Sequence, residues 1–136
     1  MERQKTLIID ASVAVKWFLN EENSDIAINL KNSFLKGELI LIAPDLIILE
    51  ILNALRYNRQ KKDELIRANK DVLELNLNLI KINNELLMKT IENSIKYNIT
   101  VYDALYVTLA QVHGTFLITV DKGLYKIPNV IALEKV

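Results

Sequence analysis

The chain has 136 residues, half of them apolar, with 17 basic side chains set against 17 acidic ones. It is too aliphatic for intrinsic disorder and too neutral to be a polybasic nucleic-acid binder. The absence of cysteine excludes a disulfide framework, a thiol catalyst and a thiolate metal site.

A chain of this length suits one domain over residues 1–136. Met1 to Lys5 lead into only Thr6-Leu7-Ile8-Ile9 before Asp10, too short an apolar stretch for a leader or a membrane helix. A soluble cytoplasmic protein is therefore expected. Residues 7–9 form a short aliphatic run ending in an acid, the pattern of a buried strand. A short helix over 11–19 follows, then an amphipathic one over 24–35 with Ile26, Leu30 and Leu35 inward and Gly37 stopping it. Residues 39–43 read as a second buried strand closed by Pro44, and Asp45 can cap a helix over 46–57. Helices over 63–77 and 85–97 flank a short strand at 79–82. The remaining elements are a helix over 101–112 ended by His113-Gly114, a strand at 116–120 and a last one at 130–133. Short apolar strands alternating with helices predict an α/β fold, a three-layer sandwich around a parallel sheet of about five strands.

Ligands of open parallel sheets bind beyond the carboxyl ends of the strands. Asp10 and Asp121 each follow a predicted strand, so two strands deliver a carboxylate to one edge of the sheet. Glu50 and Asp103 interrupt two otherwise apolar helical stretches. An ionised carboxylate in such surroundings must reach water, a cation or a metal, and several together repel unless a cation shares the site. Oxygen donors with one histidine and no cysteine favour Mg²⁺ or Mn²⁺ over Zn²⁺, chemistry suited to phosphodiester hydrolysis. Each acid also has a plainer role open to it. Asp10 can cap the first helix, Thr100-x-x-Asp103 fits a capping box, and Asp121 precedes an ordinary turn. Glu50, Asn53 and Tyr57 can be the wet stripe of an amphipathic helix.

At these residues the chain resembles the PIN-domain nucleases, in particular the VapC-type toxins. The resemblance lies in the run from Ile9-Asp10-Ala11-Ser12 to Lys16-Trp17-Phe18, in Ala43-Pro44-Asp45-Leu46 with Glu50 to Leu55, in Val101-Tyr102-Asp103-Ala104-Leu105-Tyr106 and in Leu117-Ile118-Thr119-Val120-Asp121. It implies the family fold, an Mg²⁺- or Mn²⁺-dependent endoribonuclease, and a cognate antitoxin that holds it inactive. Asp10, Glu50, Asp103 and Asp121 match the family's acidic positions, Ser12 and Thr119 its small hydroxyl positions, and Asn53 a polar position one turn after the glutamate. The further acid that some members carry just after the last one has no counterpart among Lys122, Gly123, Leu124 and Tyr125. On this reading Asp10, Asp103 and Asp121 hold the metal, Glu50 adds a ligand or orients a water, and Ser12 and Thr119 support them. Family members often form homodimers, which the aliphatic composition permits.

Lys16 has two readings, a phosphate contact in the pocket or a solvated surface charge. The basic stretch Arg56, Arg59, Lys61, Lys62, Arg67 and Lys70 is either a guide for RNA or a solvated helix surface. Trp17, Phe18, Tyr102 and Tyr106 are expected in the core or at a dimer contact, and His113 at a helix end. The main rival is a non-catalytic interaction or regulatory module on the same fold. A phosphatase pattern is missing because Asp10-Ala11-Ser12 has no second aspartate, and a nucleotide fold because no glycine-rich loop follows a strand.

Overall fold

The computed structural model describes residues 4–136. Residues 1–3, part of the stretch read above as lacking a leader, lie outside the described residues. Among the described residues five strands form one sheet: β1 (Lys5–Ile9), β2 (Leu39–Pro44), β3 (Asn78–Ile80), β4 (Leu117–Thr119) and β5 (Val130–Ala132). The order is β3-β2-β1-β4-β5 and every pairing is parallel. Leu7 sits opposite Leu41, and Ile9 opposite Ile118. The helices are α1 (Ala11–Ala14), α2 (Ser24–Leu35), α3 (Ile47–Tyr57), α4 (Lys62–Glu74), α5 (Asn84–Tyr97) and α6 (Val101–Val112).

The chain steps outward from β1 through β2 to β3, then crosses back to β4 on the other side of β1. Right-handed crossovers therefore place α1–α4 on one face of the sheet and α5 and α6 on the other. α6 packs on β1, β2 and β4, and α5 covers α6, so residues 104–110 are buried in succession. Leu7, Ile8, Ile9, Leu41, Leu117 and Ile118 fill the middle of the sheet and are almost wholly buried. No helix among the described residues is long and apolar enough to cross a membrane.

Several local expectations need correction. The helix predicted over 11–19 ends at Ala14 and tightens into a 3₁₀ turn at Val15–Trp17. There the Trp17 indole N–H donates to the Ala27 carbonyl at 2.9 Å, drawing the segment onto α2. On α2 Leu30 is buried and Ile26 packs partly buried against the core, as predicted, whereas Leu35 is exposed and Ala27 and Phe34 complete the inward face. Asp45 does not cap α3, which starts at Ile47 without a side-chain cap; the Asp45 N–H instead donates to the Ile80 carbonyl. α4 ends at Glu74, short of the predicted 77, and β3 begins at Asn78, where pairing to Ile42 sets the register. β4 stops at Thr119, so Asp121 lies two residues beyond the strand.

Candidate active site

β1 and β4 are adjacent central strands from which the chain departs in opposite directions, the switch point where a parallel sheet opens a crevice. Asp10 leaves the end of β1 and is only 8% exposed. Its Oδ1 accepts the Ser12 N–H at 3.1 Å and the Ser12 hydroxyl, and its Oδ2 accepts the Thr119 hydroxyl at 2.5 Å. It therefore does cap α1, as the plainer reading had it, and also reaches across to β4. Four lone-pair directions less three accepted bonds leave one, on Oδ2, for a further partner.

The two hydroxyls act as cross-strand staples. Ser12 Oγ accepts the Val120 N–H at 3.1 Å, and Thr119 Oγ1 accepts the Asp121 N–H at 3.1 Å. Each donates to Asp10 and accepts from the segment carrying Asp121, so the two acids are set relative to one another through hydroxyls. Asp121 is exposed, and its Oδ1 accepts the Gly123 N–H at 2.9 Å. A Cβ at residue 123 would lie 3.2 Å from that oxygen, so the glycine keeps the turn tight.

Asp103 lies in the first turn of α6. Its N–H is capped by the Thr100 hydroxyl at 3.0 Å, leaving the half-buried carboxylate out of the backbone cap. Glu50, half-buried on α3, accepts the hydroxyl of Tyr106. Tyr106 is 2% exposed, one turn beyond Asp103, and burial followed by the bond to Glu50 pushes its phenol upward. A buried tyrosine needs a partner for its hydroxyl, and here that need fixes the glutamate from the opposite face of the sheet. Sequence reasoning placed Tyr106 in the core and missed this bond. The available signal was the i, i+3 spacing from Asp103.

The electrostatics run in one direction. Burial lifts the Asp10 carboxyl to about 6, against the Ser12 and Thr119 hydrogen bonds that lower it, and Asp103 adds to the rise. Burial raises Glu50, Tyr106 partly offsets this, and Asp103 raises it again. Asp103 itself is raised by burial and then by the Asp121 charge. Asp103 is common to these shifts: its charge raises Asp10 and Glu50, and the Asp121 charge raises Asp103. Among the described residues none of the four is in an ion pair. Nor do three carboxylate or imidazole groups there draw close enough to form a ready-made metal cage.

Lys16 is not a solvated surface charge: it is buried and lines a cavity with Val120, Lys122 and Tyr125. It is 7% exposed, and its ammonium donates to the Glu22 carbonyl at 2.6 Å and to Glu21 Oε1 at 3.2 Å, tying down the turn before α2. Asn53 is exposed one turn beyond Glu50, and with it lines a groove that runs past Ala54 and Tyr57. His113 sits at the end of α6, as expected, with its ring against the Leu109 carbonyl at 2.9 Å. Tyr102 is 62% exposed, so it is not a core residue of this chain.

A family model described as the PIN domain matches residues 7–130. The chain belongs to the PIN-domain family. Its fold is shared with a toxin–antitoxin complex from Klebsiella pneumoniae (TM-score 0.70, 18% identity, 93% of this chain and 97% of that one). It is shared also with VapC20 of Mycobacterium tuberculosis, a toxin that cleaves the sarcin–ricin loop (TM-score 0.72, 12% identity, 91% and 96%). PAE2754 of Pyrobaculum aerophilum is similar at TM-score 0.68 and 23% identity, with 98% and 94% covered. No curated protein matches the sequence closely enough to count as a relative.

If the staples position this PIN-domain site, Thr119→Val, which keeps the shape and removes both hydrogen bonds, will destabilise the protein by about 1–3 kcal/mol. Thr119→Ser will restore most of that loss. Thermal denaturation of the two variants at pH 7 measures it, and equal stability of Val and wild type would remove the hydroxyl from this role.

Proposed function

We propose that this PIN domain is a metal-dependent endoribonuclease, a single catalytic domain that serves as the toxin of a type II toxin–antitoxin pair. The observation that carries the reading is the acid hub at the β1/β4 switch point, in which Asp10, Glu50 and Asp103 are all raised and lack a cationic partner among the described residues. The donor set is all oxygen, which fits Mg²⁺ or Mn²⁺. Mg²⁺ usually keeps several of its waters, so it does not require three protein oxygens already drawn together.

Asp10, Asp103 and Asp121 would hold the ion, Asp10 through its one remaining Oδ2 direction. The ion, when bound, supplies polarisation of the phosphate and acidification of water. Glu50, held by Tyr106, orients the attacking water and accepts its proton at Oε2, the oxygen the tyrosine leaves free. Ser12 and Thr119 hold Asp10 and the Asp121 segment in place through the reaction. The fold shared with a toxin–antitoxin complex supports an antitoxin protein as partner, and the homodimer expected from the family resemblance is part of the same proposal. The proposed RNA substrate fits the cytoplasmic setting expected from the sequence.

A non-catalytic module on this fold would also lack a ready-made metal cage among the described residues, and one experiment separates the two. Purified protein with Mg²⁺ or Mn²⁺ is expected to cleave RNA, leaving 5′-phosphate ends, and EDTA or Asp121→Asn to stop it. Cleavage that persists in EDTA would remove the metal from the mechanism. No cleavage of total cellular RNA under any divalent ion would favour the non-catalytic module.

A further inference from the structure

The groove that starts at Glu50 and Asn53 does not end at the acids. It runs along α3 past Arg56, Tyr57 and Arg59, and continues, sharing those two arginines, into a second groove lined by Lys61 and Lys62. Tyr57 is 87% exposed at the end of α3, a large ring with no core to support. Among the described residues no carboxylate pairs with Arg56, Arg59, Lys61 or Lys62, whereas Lys70 farther along α4 is near Glu74. The nearby Glu64 is occupied in capping α4, accepting the Lys61 N–H at 3.1 Å. Four free cations and a bare aromatic therefore lead away from an acidic site.

We infer that this groove is the path of a single-stranded RNA: Tyr57 stacks an unpaired base, and Arg56, Arg59, Lys61 and Lys62 follow the backbone phosphates. The inference rests on the nuclease reading and names the form of its substrate. Tyr57 lies two helical turns from Glu50 and on the same face, roughly 10 Å along the axis. That is about three nucleotides at the per-strand spacing of a stacked chain. A duplex offers no free base face to a side chain lying beside it, so the exposed ring selects for unpaired RNA. The cations neutralise phosphates that the carboxylates would otherwise repel.

The test uses a fluorescein-labelled single-stranded 12-mer RNA, its duplexed form, and full-length protein. With Mg²⁺, Tyr57→Ala is expected to raise KM for the single strand about tenfold or more with kcat within twofold, and Tyr57→Phe to restore it. The duplex should be a poor substrate for wild type. In EDTA, log affinity should fall with log salt at a slope of about −2.8 for four phosphate contacts, and Arg56→Ala/Arg59→Ala should halve that slope. Both sites are exposed, so neither variant disturbs the core. Cleavage with unchanged KM in all these variants would overturn the path while leaving the nuclease standing. Absent cleavage with salt- and Tyr57-dependent binding in EDTA would do the reverse. If the variants bind RNA as wild type does but lose a polyglutamate peptide, the groove takes an acidic protein and the inference fails.

Discussion

Asp103→Asn is expected to reduce RNA cleavage by about 10³-fold or more, on the order of 4 kcal/mol of barrier, and to make the metal-free protein no less stable. The two expectations come from the same position. Asp103 is the acid whose charge raises both Glu50 and Asp10, and it is raised in turn by Asp121. Removing it takes a full negative charge from the centre of the proposed metal site. It also removes the repulsion that the other carboxylates feel when no cation is present. The helix start survives, because the Thr100 cap uses the backbone N–H of residue 103 and not its carboxylate. A variant that merely misfolded would lose activity and melt lower. The expected pair is lost activity with a melting temperature in EDTA equal to or above wild type. Cleavage within a few-fold of wild type would take Asp103 out of the site, and a lower melting temperature would make its role structural.

The sheet was legible because each strand is a short aliphatic run bounded by polar or turn residues, and a run such as 7–9 has no competing period. The acids were legible because charge inside an apolar stretch stands out: Glu50 among leucines and isoleucines, Asp103 at the start of a helix buried over most of its length. Tertiary demands hid the rest. The break after Ala14 depends on Trp17 finding the Ala27 carbonyl, and the stripe on α2 depends on how that helix meets β2. Lys16 was ambiguous because both its readings assumed a free ammonium, and only the fold brings the Glu22 carbonyl to it. Tyr106 has the same explanation: its core position follows from periodicity, but its hydroxyl's partner lies on another helix across the sheet. The grooves beyond Glu50 depend on the turn between α3 and α4, where Arg59 takes a left-handed conformation (φ 65°) that its residue type does not announce.

Asp10 makes the stability of the metal-free protein fall as pH rises, opposite to the usual carboxylate effect. Its folded-state value of about 6 lies above the 3.8 of an unperturbed aspartate, because burial outweighs the hydroxyls that favour the charged form. Below both values the acid is protonated in either state and costs nothing. Between them the unfolded chain ionises and the native protein does not, so stability declines with pH. Above about 6 both are ionised and the loss is complete, about 3 kcal/mol for this group. Glu50 and Asp103 are raised as well and push in the same direction. Chemical denaturation in EDTA should therefore show more stability near pH 5 than near pH 7, and Asp10→Asn should flatten most of that difference. The asparagine keeps the cap, since its Oδ1 can still accept from Ser12, while Thr119 can turn its hydroxyl and accept from the new amide. Mg²⁺ should stabilise the wild type at pH 7 and much less at pH 5, where the proton occupies the same oxygen. Equal pH dependence in wild type and Asp10→Asn would show that the carboxylate is not held in the buried state on which its proposed role as a metal ligand rests.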